Sequence, residues 1–254
     1  MTTGFKRVPA LDKCFGILDL LSKSKHPLGI SEISRMLKYN RSTVFNTVYT
    51  LVDHSILEKK AHNKFHFGTK LYLLSKAANR RSDLIQTVHP YLEAINRKTR
   101  LMVFLGIRSG VKAVIIDKVD SAFDIKVMSE VGMRIPLLAG AGGKALLSLL
   151  PEDEIDKILS KNKLRKFTAF SCTDKARYKA MIQETKKTKI AFDMEEYIEG
   201  IQAFAVPLNL NRQGVAAAIW AVGLKNQIKK EHIKPYSGYL KGIVAEIEAR
   251  FTTL

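Results

Sequence analysis

Arg41, Ser42, Thr43, Asn46, Thr47 and Thr50 crowd one short stretch of the chain, and their types suit the reading of a nucleic-acid groove. Arginine bonds bidentately to guanine and asparagine to adenine, while serine and threonine hydroxyls reach phosphates or bases. Within the same stretch Val44, Val48, Leu51 and Val52 recur at helical spacing, which predicts a helix that buries this stripe and turns the six polar residues outward. The start of such a helix also presents free N–H groups to a phosphate. Lys59, Lys60 and Lys64 follow closely, flanking Ala61-His62-Asn63, and are expected to contact phosphate backbone.

Other groupings promise less chemistry. Ala139–Leu147 (AGAGGKALL) resembles a phosphate loop, but a Walker A motif needs glycine where Leu138 stands and Ser/Thr where Ala145 stands. A glycine-rich turn at a helix start is expected instead. His62 and His66 straddle the predicted hairpin, so they share no helix face as zinc ligands would, and both are expected to be exposed. Asp193, Glu195 and Glu196 lack a partnered nucleophile and are expected to form a solvated acidic turn. Cys172 has no identifiable base and is read as structural. The Lys186-Lys187…Lys189 run is read as a solvated helix end. No catalytic residue, metal site or cofactor is expected, and the chain is not read as an enzyme.

The elements that must hold these residues can be read in order. Leu11, Cys14, Phe15, Leu18 and Leu21 predict an amphipathic helix over Ala10–Ser22, ended by the Pro and Gly of Lys23–Gly29. Ser31 is placed as N-cap of a second helix with Ile33, Met36 and Leu37 inward, and Lys38-Tyr39-Asn40 as the turn into the third. Two short helices joined by a tight turn form a helix-turn-helix. The alternating runs Leu57–Lys60 and Lys64–Phe67 then predict a β-hairpin with a basic tip, making the motif a winged one. Helices are expected over Thr69–Asn79 and Asp83–Thr99, with Asn79–Ser82 between them.

From Leu101 the period changes. Strands are expected over Leu101–Ile107, Val111–Val119, Asp124–Ser129, Gln202–Leu210 and Val215–Leu224, with turns at Arg108–Gly110 and Asn211–Gly214. Helices are expected over 143–150, 152–159, 174–187 and 230–251, Pro235 breaking the start of the last. Antiparallel hairpins with interspersed helices predict an α+β domain. The domain plan is 1–76 for the winged helix-turn-helix, 77–82 for a helical linker and 83–254 for the second domain.

Composition agrees with two globular domains: 254 residues, 46% hydrophobic and 26% charged. No run approaches the ~18–20 apolar residues of a membrane span. No apolar segment follows the basic residues of Met1–Lys13, so no secretory signal is expected. Two isolated cysteines fit a reducing compartment, and a cytoplasmic location is expected. The net charge is +18, and residues 1–76 alone hold 13 Lys/Arg against 5 Asp/Glu. Such a field attracts polyanions, with nucleic acid the first partner to consider.

The chain resembles the IclR family of transcriptional regulators along nearly its whole length. The resemblance rests first on Ala10-Leu11-Asp12, Pro27-Leu28-Gly29-Ile30-Ser31-Glu32-Ile33, Ser42-Thr43-Val44-Phe45-Asn46 and Phe65-His66-Phe67-Gly68. It continues through Pro136–Ala145, Asp193-Met194-Glu195-Glu196, Gly200–Leu208 and Ala217–Gly223. It implies a C-terminal GAF-like domain that binds a small organic effector and takes part in oligomerisation. It also implies a homodimer or homotetramer on palindromic double-stranded DNA, with first helix and linker pairing and Leu20, Tyr72 and Leu73 as candidate contacts.

By the same resemblance the effector residues are Ala141, Gly142, Asp193, Ala203, Trp220 and Val222. Here the chain departs from the family pattern: Ala203 replaces a cysteine, and Trp220 and Val222 replace two serines. The pocket is therefore expected to be more apolar and to take a hydrophobic or aromatic acid. Two alternatives stay open: a ligand-independent DNA binder with a vestigial pocket, and an enzyme acting on small carboxylic acids.

Overall fold

The structure is a computed structural model that describes residues 6–79, 84–210 and 215–253. The chain divides into two compact units, residues 1–81 and 82–254.

In the first unit α1 (Pro9–Lys23) begins with a proline at its first position, where the missing N–H costs nothing. Its buried residues are Ile17 and Leu21, with Cys14 and Leu18 partly covered. The expected stripe was displaced by a fraction of a turn: Leu11 and Phe15 point outward, 57% and 63% exposed. After β1 (Leu28–Gly29), α2 (Ile30–Leu37) starts one residue before Ser31. Its N-cap is Gly29, whose N–H donates to Glu32 Oε2 at 2.7 Å, so Ser31 lies inside the first turn instead of capping it. Met36, expected inward, is exposed, and Ile33 alone of that trio is fully buried.

Lys38 adopts a left-handed conformation (φ 56°) and ends α2, and the Ser34 hydroxyl donates to the Tyr39 carbonyl at 2.7 Å across the turn. The third helix, α3 (Arg41–Asp53), buries Val44, Val48 and Leu51. Strands β2 (Leu57–Lys60) and β3 (Lys64–Phe67) pair in the register Leu57↔Phe67 to Lys60↔Lys64, and β1 adds to β3 to give the order β1-β3-β2. Leu57 and Phe65 are fully buried against Ile17, Ile33 and Val48, so the hairpin is anchored in the helical core. Each such burial contributes roughly 1.5–3 kcal/mol. Helix α4 (Thr69–Asn79) closes the unit.

The second unit is a six-stranded antiparallel sheet with helices on both faces. Its strands are β4 (Met102–Ser109), β5 (Lys112–Val119), β6 (Arg134–Pro136), β7 (Ala191–Met194), β8 (Ile201–Leu210) and β9 (Val215–Leu224), in the order β6-β5-β4-β9-β8-β7. Alternation along the strands splits the core in two. Met102, Phe104, Ala203 and Trp220 face α6 (Gly140–Ser148), α7 (Glu152–Lys161) and α8 (Lys175–Thr188). Val103, Leu105, Phe204 and Ile219 face α5 (Leu84–Thr99) and α9 (Lys230–Thr253).

Three expectations for this unit are corrected, and one strand is added to them. Asp124–Ser129 forms no strand; the neighbour of β5 is β6, because residues 121–133 pass as a loop before pairing begins. Strand β7 was not foreseen. Helix α6 begins at Gly140, three residues earlier than expected. Pro235 sits within α9 without ending it. The expected Asn79–Ser82 break and the Asn211–Gly214 turn fall largely or wholly outside the described residues.

Candidate nucleic-acid interface and effector cavity

The start of α3 carries no side-chain cap, and among the described residues Arg41 has no carboxylate partner. Arg41, Ser42, Asn46 and Thr50 are exposed; Thr43 and Thr47 are half-buried. The Thr47 hydroxyl donates to the Thr43 carbonyl and the Thr50 hydroxyl to the Asn46 carbonyl, each at 2.8 Å. The Thr47 and Thr50 donors are thus spent within the helix, leaving the exposed Arg41, Ser42 and Asn46, with half-buried Thr43 behind them, as the side chains that can give hydrogen bonds outward.

The hairpin beside α3 is tipped by a 3₁₀ turn, Ala61–Asn63, in which His62 and Asn63 both take positive φ. Lys59 and Lys60 are exposed, Lys59 with its ammonium 5.9 Å from the centre of the Tyr49 ring. Lys64 is engaged differently. Its ammonium lies 3.2 Å from Glu32, the carboxylate that also caps α2. The Gly29 N–H, and after it Lys64, holds the Glu32 carboxyl below the usual range. Lys64 therefore ties the hairpin to α2. His66, expected exposed, is half-buried, because it lies directly opposite Glu58 in the β2–β3 register.

In the second unit all six residues singled out for the effector line one cavity of about 220 Å³: Ala141, Gly142, Asp193, Ala203, Trp220 and Val222. Gly140 opens α6 with φ +70°, a conformation that costs other residues about 1 kcal/mol or more, and the Asp193 carboxylate crowds the place a Cβ would take. The Trp220 indole lies between two close approaches. A Cβ at Gly106 would collide with its six-membered ring, and one at Gly142 would come within 3.0 Å. Phe104 packs 5.7 Å from it, centre to centre. The indole thus forms a wall between the sheet and the first turn of α6, and the space beyond it remains open.

The acidic segment is a correction: Asp193 and Glu195 are buried, 5% and 7% exposed, because Asp193 lies on β7 beneath α6. Asp193 Oδ1 accepts the Glu196 N–H at 2.6 Å. Burial pushes the Asp193 pKa up to about 6; the Glu196 charge adds to the rise, while the Glu196 N–H and the Lys144 charge oppose it. Lys144, 1% exposed, binds both Glu196 oxygens at 2.8 Å. Glu195 pairs with Lys225 at 2.7 Å and is held below its usual pKa chiefly by it. Tyr178 is buried, its hydroxyl has no partner among the described residues, and burial raises its pKa far out of the physiological range.

No Lys, Arg or His side chain lines the cavity among the described residues, so its ionisable walls are Asp193 and Tyr197. Tyr197 and the wall of Val127–Ser129 and Met133 also line the cavity, without a motif to mark them in the sequence. The apolar residues of that loop, clustered with no turn chemistry to explain them, were the available signal.

A winged helix-turn-helix unit followed by a mixed α/β unit with an internal cavity is the plan of a DNA-binding regulator that senses a small molecule. Two family profiles match, "IclR helix-turn-helix domain" over residues 10–61 and "Bacterial transcriptional regulator IclR C-terminal" over 76–249. The chain belongs to the IclR family of transcriptional regulators. It is 26% identical to the HTH-type transcriptional regulator KdgR of Escherichia coli K12, over 96% of this chain and 92% of that one. Its structure resembles the Thermotoga maritima IclR (TM-score 0.76, 27% identity, 96% and 99% of the two chains covered). It also shares the fold of an IclR homolog from Microbacterium hydrocarbonoxydans, crystallised with 4-hydroxybenzoate (TM-score 0.84, 19% identity, 96% and 100% covered).

Among the described residues no helix is long and apolar enough to cross a membrane. No group of three or more His, Cys, Asp or Glu among them could hold a metal ion.

Proposed function

We propose that this regulator reads a palindromic operator with α3 and grips the flanking phosphates with Lys59 and Lys60. A small apolar or aromatic acid, bound in the GAF-like second unit, controls its affinity. The observation that carries the DNA reading is the exposed trio Arg41, Ser42 and Asn46, whose donors are unspent, beside exposed cations on the hairpin. One such module contacts few base pairs, so a two-fold dimer reading both half-sites is the economical arrangement. Val8 just before α1, Leu11 and Phe15 on it and Leu73 on α4 are exposed apolar residues suited to that pairing, whereas Leu20 packs against its own unit's core.

Asn46→Ala should cost roughly 1–3 kcal/mol on the operator and much less on random DNA. Lys60→Ala should weaken both about equally and reduce the salt dependence. Gel shifts on the two duplexes at several salt concentrations separate these outcomes. Equal losses for Asn46→Ala would remove its assignment to base reading.

For the effector, the apolar wall of Trp220, Ala203 and Val222 supports a hydrophobic or aromatic ligand, and the ligand of the Microbacterium homolog is of that kind. An acid placed there meets the first N–H groups of α6 but also Asp193. Protonation of Asp193 removes the repulsion, so an acidic effector should bind more tightly as pH falls from about 8 to 6. Trp220 is the chain's one tryptophan, and its emission reports occupancy without a label. Titration with aromatic and two-carbon acids should quench or shift it with the former. Tight glyoxylate binding with no preference for aromatic acids would overturn this ligand class. If no small acid alters either the emission or the melting temperature, the ligand-independent reading takes its place.

A further inference from the structure

The outward face of α3 contains one large apolar side chain that base-pair hydrogen bonding does not use. Phe45 is 48% exposed, on the same side as Ser42, Asn46 and Tyr49 at helical spacing. Its ring does not hang free: it lies 4.5 Å from Tyr49, centre to centre. Tyr49 in turn meets the fully buried Phe65 edge-on at 5.8 Å. A line of three rings therefore runs from the core of the unit to its surface. Lys59 sits over Tyr49 on the hairpin side. A ring held this way loses little freedom when a partner covers it, and leaving it exposed to water on a polar face is unfavourable.

The surroundings narrow the partner. Ser42 and Asn46 flank Phe45 with groups suited to base edges, Arg41 stands one turn before it on the same helix, and the Lys59 ammonium lies over the Tyr49 ring that packs on it. An apolar group facing the major groove finds one apolar feature among the four base edges, the 5-methyl of thymine. We infer that Phe45 reads a thymine methyl group beside the base bonded by Asn46. The inference rests on the proposed reading of α3 as the groove helix and adds a specificity contact to it.

The test uses the full chain. Duplexes selected from a random pool by the wild-type protein are resynthesised with deoxyuridine in place of each thymine in turn, which removes the methyl and no hydrogen-bonding group. Wild type should bind about fourfold more weakly when one particular thymine of a half-site is replaced, the value expected for one buried methyl. Phe45→Ala should bind the thymine and uracil duplexes equally, and Phe45→Leu should discriminate to an intermediate degree. Neither should change the salt dependence, since no charge is lost. Melting curves for both variants establish that the unit is folded.

If Phe45→Ala binds and still prefers thymine at that position, the inference fails while the DNA reading stands, and a threonine methyl becomes the reader. If Phe45→Ala changes self-association but not thymine preference, the ring is a protein contact and the inference is wrong. If the wild-type protein selects no sequence at all, the DNA reading itself falls and takes the inference with it.

Discussion

A carboxyl on a buried residue, next to another carboxylate, is costly to ionise, and Asp193 is such a group. Its folded-state pKa of about 6 lies above the unfolded value near 3.9, so the folded chain holds this proton more tightly. Stability should therefore fall as pH rises from about 4 to 6 and lie lower, without further loss from this group, above that. Asp193→Asn should raise stability at pH 8 by an amount on the order of 2 kcal/mol and give no gain at pH 4; paired thermal melts check it. At this scale the resemblance placed the six cavity residues on one wall system. Pairings distant in sequence were invisible to it. Nothing local in the sequence reveals Glu32, thirty-two positions away, as the partner of Lys64. Phe45 has no hydrogen-bonding group that marks it in sequence as a base reader, while two of the threonines beside it, Thr47 and Thr50, spend their hydroxyl protons on their own helix.

Elements with strong periodicity were legible. The hairpin strands fell where alternation placed them, and Leu84, Val88, Leu92 and Ile95 all bury on α5. The failures share a cause: local signal was weak and tertiary pairing decided. Helix α6 begins in glycines, which propensity counts against a helix, yet it is buried along its whole length. Strand β7 is four residues bearing an aspartate, and it exists because β8 offers it a partner. Two predictions belong here. Gly106→Ala on β4 should displace the indole and cost about 1–3 kcal/mol, with a shifted Trp220 emission. Lys64→Ala should leave the salt slope of DNA binding nearly as in wild type, in contrast to Lys60→Ala, because its ammonium is already committed to Glu32. A slope reduced equally by both would show Lys64 at the phosphates.

For the molecule as a whole, the charge of +18 divides unevenly, and the first unit is the more basic per residue. Affinity for any DNA should drop steeply between about 50 and 200 mM salt, with the operator keeping its margin over random sequence. The two-unit plan was legible because the change from helical to strand period near Leu101 follows a basic, helix-rich segment. The sheet order was not, since β9 joins β4 across most of the unit. That order has a consequence for behaviour in concentrated solution. The long, apolar strands β4, β8 and β9 are interior, while the rims are β6, three residues ending in Pro136, and β7, four residues beside an acidic segment. Short rims with a proline or nearby charges are poor templates for an incoming strand. The second unit's sheet should thus resist edge-wise aggregation, leaving that unit's helices and loops as the surfaces through which copies would meet.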